Sequence, residues 1–167
     1  MSGRFTERVD PFFLVRTKRS FRGTLPLAKM QRLAGLLYDT EGNAAFDLSF
    51  RMEGRVPSVI GRVSADLVLQ CQICLKSTRW VVEREVNLGI VASIAEASLL
   101  SEPYEPLLIE NEDTRLSDIV EDELILGLPL IARHSGCKMA VPSIDEEIDS
   151  SERPFAILAE LRKTGGK

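Results

Sequence analysis

The sequence predicts an α+β fold, an antiparallel β meander packed with a few helices. Three observations predict it. Between residues 44 and 91 apolar side chains recur at every second position in three successive runs, the period of strands with one buried face. The runs are broken only by short turn signals, first Gly54 and Pro57, then Cys71-Gln72-Ile73-Cys74. Short breaks favour antiparallel hairpins, because parallel strands need long crossovers. After residue 113 the apolar spacing changes to three and four, the period of an amphipathic helix.

Taken in order, residues 12–25 are expected to be extended. Arg16, Lys18, Ser20 and Arg22 alternate there with Val15, Thr17, Arg19 and Phe21. Pro26 then opens a helical pattern, with Leu27, Met30, Leu33, Ala34 and Leu37 on one face, ended by Gly42-Asn43. The first strand face is Phe46, Leu48, Phe50 and Met52, and the second is Val59, Val63, Ala65, Leu67 and Leu69. The third is Trp80, Val82, Val86, Leu88 and Ile90, interrupted by Arg84. Residues 91–103 read as a small helix and loop, and Tyr104 to Ile109 as another short strand. Asp113 or Thr114 can cap a helix running to about Leu128, with Leu116, Ile119, Val120, Leu124 and Leu128 inward and Pro129 closing it.

These elements make residues 1–137 a single α+β domain. Residues 138–153 read as an acidic, mobile linker carrying Asp145, Glu146, Glu147, Asp149 and Glu152. Pro154 starts a short C-terminal helix over 154–163. Ten residues do not hold a helix alone in water, so Phe155, Leu158 and Leu161 must dock on this core or on a partner.

Composition narrows the setting. No stretch approaches the roughly 18 apolar residues of a membrane span. The first eight residues have no apolar run behind them, so no signal peptide is expected. Three cysteines are too few for a secreted disulfide scaffold, which points to the cytoplasm. The net charge is −4 but unevenly spread: +5 over residues 1–90 and −9 over residues 91–167. One part can face phosphate and the other a basic partner, unless the two mix on one folded surface.

The sharpest chemical feature is the pair Cys71-x-x-Cys74 and His134-x-x-Cys137, which uses every Cys and the only His. A turn between strands aims two sulfurs at one point, and four soft ligands in two pairs suit a closed tetrahedral Zn²⁺ site. The competing readings are a packed Cys71 beside an unliganded turn, a redox pair at Cys71 and Cys74, and a nucleophile at Cys137 with His134 as base. The redox reading lacks a helix N-terminus to lower the thiol pKa. The nucleophile reading lacks an oxyanion element.

Two charged sets complete the inventory. Asp118, Glu121 and Asp122 share one helix face, which suits a solvated surface, a divalent cation, or docking to a basic protein. Arg16, Lys18, Arg19 and Arg22 form a basic segment that can contact phosphate, with Phe12, Phe13 and Phe21 available to stack on bases. The sequence holds no phosphate-cradling glycine loop and no standard nucleic-acid-binding signature.

Four blocks together resemble the YceD family of large ribosomal RNA subunit accumulation proteins. They are Cys71-Gln72-Ile73-Cys74, Tyr104-Glu105-Pro106, Ile119 to Pro129 followed by His134 and Cys137, and Pro154 to Lys163. Ile73 stands where the family often has Arg. The resemblance implies a ribosome-biogenesis factor that supports accumulation of 23S ribosomal RNA by binding, with no catalytic activity. Its expected partners are pre-ribosomal large-subunit RNA, a ribosomal protein, or both, with no membrane and no small-molecule substrate. The alternatives are an adaptor docking on a basic ribosomal protein and a zinc- or thiol-dependent enzyme.

Overall fold

The computed structural model describes residues 8–109 and 114–138 of the chain. The architecture below is that of the unit Met1–Cys137. Long period-two runs become long strands. β3 (Asn43–Glu53), β4 (Val56–Gln70) and β5 (Ser77–Val91) pair antiparallel in sequence order. β2 (Ser20–Pro26) adds to the free edge of β3, and β6 (Glu105–Leu108) to that of β5. The sheet order is therefore β2-β3-β4-β5-β6. A separate two-stranded ribbon pairs β1 (Arg8–Val9) with β7 (Thr114–Arg115).

One face of the sheet is buried, as alternation requires. Phe46, Leu48, Phe50, Val59, Val63, Leu67, Val86 and Ile90 pack there against Ile119, Val120 and Leu124 of α4 (Leu116–Leu126). Leu14 and Val15 of α1 (Pro11–Arg16) and Leu33 of α2 (Gln31–Ala34) join the same core. The opposite face carries a row of alternating charge in register across four strands, Arg22, Asp47, Arg62 and Glu85. Arg22 pairs with Asp47, and Arg62 reaches Glu85 at 3.4 Å. Gly61 marks the closest approach of β3 and β4: a Cβ there would lie 1.9 Å from the Asp47 carbonyl oxygen.

The α+β class and the meander over residues 44–91 stand, and the details differ as follows. Residues 12–16 are helical, not extended. Asp10 caps α1 by accepting the Phe12 N–H at 2.9 Å, and Pro11 fixes the first helical φ. Strand geometry begins only at Ser20, after Lys18 has turned the chain at φ 50°. Pro26 ends β2, and the helical pattern after it breaks into a 3₁₀ turn (Leu27–Lys29) and the four-residue α2. Leu27, Met30 and Leu33 are nevertheless buried as their spacing implies. The short strand expected near Tyr104–Ile109 is β6; it runs parallel to β5, a direction the sequence leaves open, because α3 (Ile94–Ala97) and its loop carry the chain back along the sheet. Finally, α4 starts at Leu116 without a side-chain cap, since Thr114 belongs to β7, and it ends at Gly127. Met52 and Trp80 lie at strand ends and are exposed, although both were expected inside. Asp113, the acidic segment 139–153 and the C-terminal helix 154–163 lie outside the described residues.

Candidate metal centre

The four soft ligands meet where the β4–β5 turn faces the chain leaving α4. In the first turn the Cys71 N–H donates to the Lys76 carbonyl and the Leu75 N–H to the Cys71 carbonyl, both at 2.9 Å. Leu75 adopts φ 60°, the left-handed conformation that reverses the chain into β5. This tight closure leaves the sulfurs of Cys71 and Cys74 on one side. In the second turn the Cys137 N–H donates to the His134 carbonyl at 3.2 Å, and Gly136 takes φ 80°. Glycine carries no penalty there. The Gln72 N–H donates to the Ala132 carbonyl at 2.9 Å and fixes the two turns face to face.

The resulting geometry fits a tetrahedral metal. The ligand atoms of Cys71, Cys74, His134 and Cys137 all lie within 4.8 Å of one another. Cys71 Sγ is 3.8 Å from Cys137 Sγ, and Cys74 Sγ is 3.5 Å from His134 Nδ1. Metal–sulfur bonds of about 2.3 Å and metal–nitrogen bonds of about 2.0–2.1 Å give tetrahedral edges of about 3.8 Å and about 3.6 Å. The outer contact is equally suited. His134 Nε2 lies 2.8 Å from the Ser77 carbonyl oxygen and donates its proton there. That bond fixes the tautomer and leaves the Nδ1 lone pair facing the sulfurs.

The electrostatics of the four groups point the same way. Cys71 is brought down to about 5, chiefly because the Cys74 backbone N–H donates to its sulfur, with help from Ile73 and His134 against the opposing effect of burial. Cys137 is pushed up to about 11, first by burial and then by the neighbouring thiols Cys74 and Cys71. The hydrogen bond to Ser77 raises His134, Cys71 adds to the rise, and Lys76 opposes it. One thiolate is thus prepared by backbone donors, while further thiolates on the same spot repel one another. A cation at their centre removes that repulsion. All four positions come from the protein, so the group has the closed form of a structural site, without the open position of a catalytic one.

The basic set is spread over a helix end, a turn and a strand. Arg16 ends α1 at 3.9 Å from Asp10, and Lys18 sits in the following turn. Arg19 lies 6.0 Å above the Phe21 ring, which packs edge-on against Phe50. Arg22 belongs to the charged row on the outer sheet face.

Of the acidic set Glu121 turns inward, Asp118 is half-buried and Asp122 is exposed. Glu121 is only 6% exposed and accepts the backbone N–H of Arg32 at 2.7 Å and of Leu33 at 3.0 Å. The Arg32 guanidinium joins Glu121 at 3.2 Å and also pairs with Asp122. Asp118 accepts the Ser117 hydroxyl at 3.3 Å. The triplet is thus largely a clasp between α4 and α2. Arg32 was not singled out from the sequence, nor was Glu123, which is buried against Arg84 at 2.9 Å. Arg84 did leave a signal, as a lone charge at an inward position of a strand.

Comparison with known proteins places the geometry in a family context. The family model described as large ribosomal RNA subunit accumulation protein YceD matches residues 59–162. A relative from Haemophilus influenzae, the large ribosomal RNA subunit accumulation protein YceD, is 32% identical over 164 residues, covering 93% of this chain and 94% of its own length. No solved structure matches the chain significantly. Among the described residues no helix is long and apolar enough to cross a membrane.

Proposed function

The chain belongs to the YceD family of large ribosomal RNA subunit accumulation proteins, and on that premise we propose that it supports accumulation of 23S ribosomal RNA as a cytoplasmic assembly factor acting by binding. The match over most of the chain's length carries this reading. The cysteine–histidine group supports binding over catalysis, because every ligand position is filled by protein. Cys71, Cys74, His134 and Cys137 would hold Zn²⁺. The ion supplies folding energy by joining the β4–β5 turn to the segment after α4. The partners are pre-ribosomal large-subunit RNA or a protein bound to it. The adaptor reading has less support, since Glu121 and Asp122 are occupied by Arg32 and α2.

Two measurements test the reading. Purified protein is expected to contain about one zinc per chain, and Cys74→Ser is expected to lower both the metal content and the denaturation midpoint. Deleting the gene is expected to reduce large-subunit RNA relative to small-subunit RNA, with the protein sedimenting alongside large-subunit precursors. An unchanged RNA ratio, with the protein remaining at the top of the gradient, would overturn the assembly role.

A further inference from the structure

The two turns that meet at the metal centre are cationic and free of carboxylates, as the longer stretch 11–38 also is. From Cys71 to Arg79 and from Pro129 to Cys137 there is no Asp or Glu, although the chain is acidic overall. The cations in these segments are Lys76, Arg79 and Arg133, all exposed. Lys76 adjoins Ser77, whose carbonyl holds the His134 ring, and Arg133 adjoins His134 itself. The bond from Gln72 to Ala132 keeps the two stretches in contact. Lys76 and Arg133 have no ion pair among the described residues. Arg79 pairs with Asp66, but both side chains are at least half exposed, so the pair is weak and a phosphate can displace it. Asp39 bridges β4 at Val68, opposite Arg79 in register, and accepts the Glu41 N–H at 3.0 Å.

Between these cations the turns expose apolar side chains that a folded domain normally covers. Leu75 is 61% exposed, Ile131 67%, and Leu130 fully. Trp80 is 39% exposed at the adjoining strand end, with its indole N–H on the Gly127 carbonyl at 3.2 Å. Cations beside exposed apolar and aromatic groups, with only Arg79 of the three paired to a carboxylate among the described residues, match a nucleic-acid strand whose bases are unpaired. The phosphates meet Lys and Arg, and the base faces lie on the apolar groups. Duplex RNA has its bases stacked inside and offers nothing to Leu75 or Ile131.

We infer that this metal-centred end of the sheet is the RNA interface of the protein, taking a single-stranded stretch of large-subunit RNA over Lys76, Arg79 and Arg133. The inference rests on the reading above that the protein binds pre-ribosomal RNA, and it replaces the N-terminal basic segment as the contact surface. None of the three cations is a candidate metal ligand, and none is buried. They can therefore be reversed without disturbing the core or the ligand set.

The test compares three zinc-loaded proteins binding to heat-denatured fragments of large-subunit ribosomal RNA by filter retention. They are wild type, the triple variant Lys76→Glu, Arg79→Glu, Arg133→Glu, and a control triple Arg16→Glu, Lys18→Glu, Arg19→Glu. Circular dichroism and zinc content confirm that each is folded. The first variant is expected to bind at least about tenfold more weakly, and its log affinity to fall less steeply with log salt by about 2, since each single-strand phosphate contact contributes about 0.7. The control is expected to match wild type. Wild-type affinity in the first variant, with the loss appearing in the control instead, overturns the placement and leaves RNA binding intact. If wild type retains no fragments yet sediments with ribosomal precursors, RNA contact itself is overturned and a protein contact takes its place.

Discussion

Replacing Glu121 separates a structural role for the acidic helix from a docking role. Its carboxylate accepts two backbone N–H groups, from Arg32 at 2.7 Å and Leu33 at 3.0 Å, which begin the short helix α2. Leu33 is fully buried, so its N–H finds no water once the carboxylate is gone. A hydrogen bond to a charged group is worth about 1.5–3 kcal/mol, and leaving a buried donor unpaired costs a similar amount. The Arg32 side chain is 54% exposed, so its ion pair with Glu121 adds at most about 1 kcal/mol after solvent screening. Glu121→Ala is therefore expected to cost about 3 kcal/mol in urea denaturation at neutral pH. Glu121→Gln keeps an acceptor oxygen and is expected to cost about 1 kcal/mol. Arg32→Ala removes the guanidinium but neither backbone donor, and is also expected to cost about 1 kcal/mol or less. The reasoning fails if Glu121→Ala leaves the midpoint unchanged, or if Arg32→Ala is as damaging as Glu121→Ala. A stable Glu121→Ala protein that no longer sediments with ribosomal precursors would return the residue to a docking role.

Two further substitutions probe the backbone. Leu75→Gly relieves a left-handed residue at φ 60° in the turn that carries Cys71 and Cys74 and is expected to raise stability by about 1 kcal/mol in the same denaturation curve; unchanged or lower stability would show that the turn depends on the leucine side chain. Gly61→Ala places a methyl group 1.9 Å from the Asp47 carbonyl oxygen and 3.0 Å from the Leu48 Cα, both backbone, so β3 and β4 must separate. A loss of about 3 kcal/mol or more is expected, and near-wild-type stability would refute the close approach.

The parts of this fold legible in the sequence are those whose signals are local. β3, β4 and β5 follow from alternation within each strand, and Leu48, Val63 and Val86 are buried as that alternation demands. The convergence of Cys71, Cys74, His134 and Cys137 followed from the shortage of other soft ligands, a fact of inventory. What stayed hidden depends on contacts between distant residues. Arg32 and Glu121 stand 89 positions apart, and a carboxylate on a helix reads alike whether it faces water or a neighbouring helix. The parallel course of β6 is set by how α3 and its loop cross the sheet, for which no residue pattern speaks. Residues 12–16 were misread for a different reason. The alternation lies at residues 15–22, and extending it back over Phe12, Phe13 and Leu14 overrides the Asp10-Pro11 helix start.

The order in which the two turns occur along the chain has a consequence for synthesis. Cys71 and Cys74 lie in a hairpin whose strands are neighbours in sequence, so its contacts are local and form early. His134 follows Cys74 by 60 positions. At a ribosome's pace of about 5–20 residues per second, that is roughly 3–12 seconds later. During that interval the growing chain presents two sulfurs on a finished turn with no third or fourth ligand. The pair is then open to oxidants, and an ion captured at that stage would have half of the four-ligand shell. The four ligands come together only when the chain returns from α4, so an ion bound by all four would mark molecules in which sheet and helix have already met.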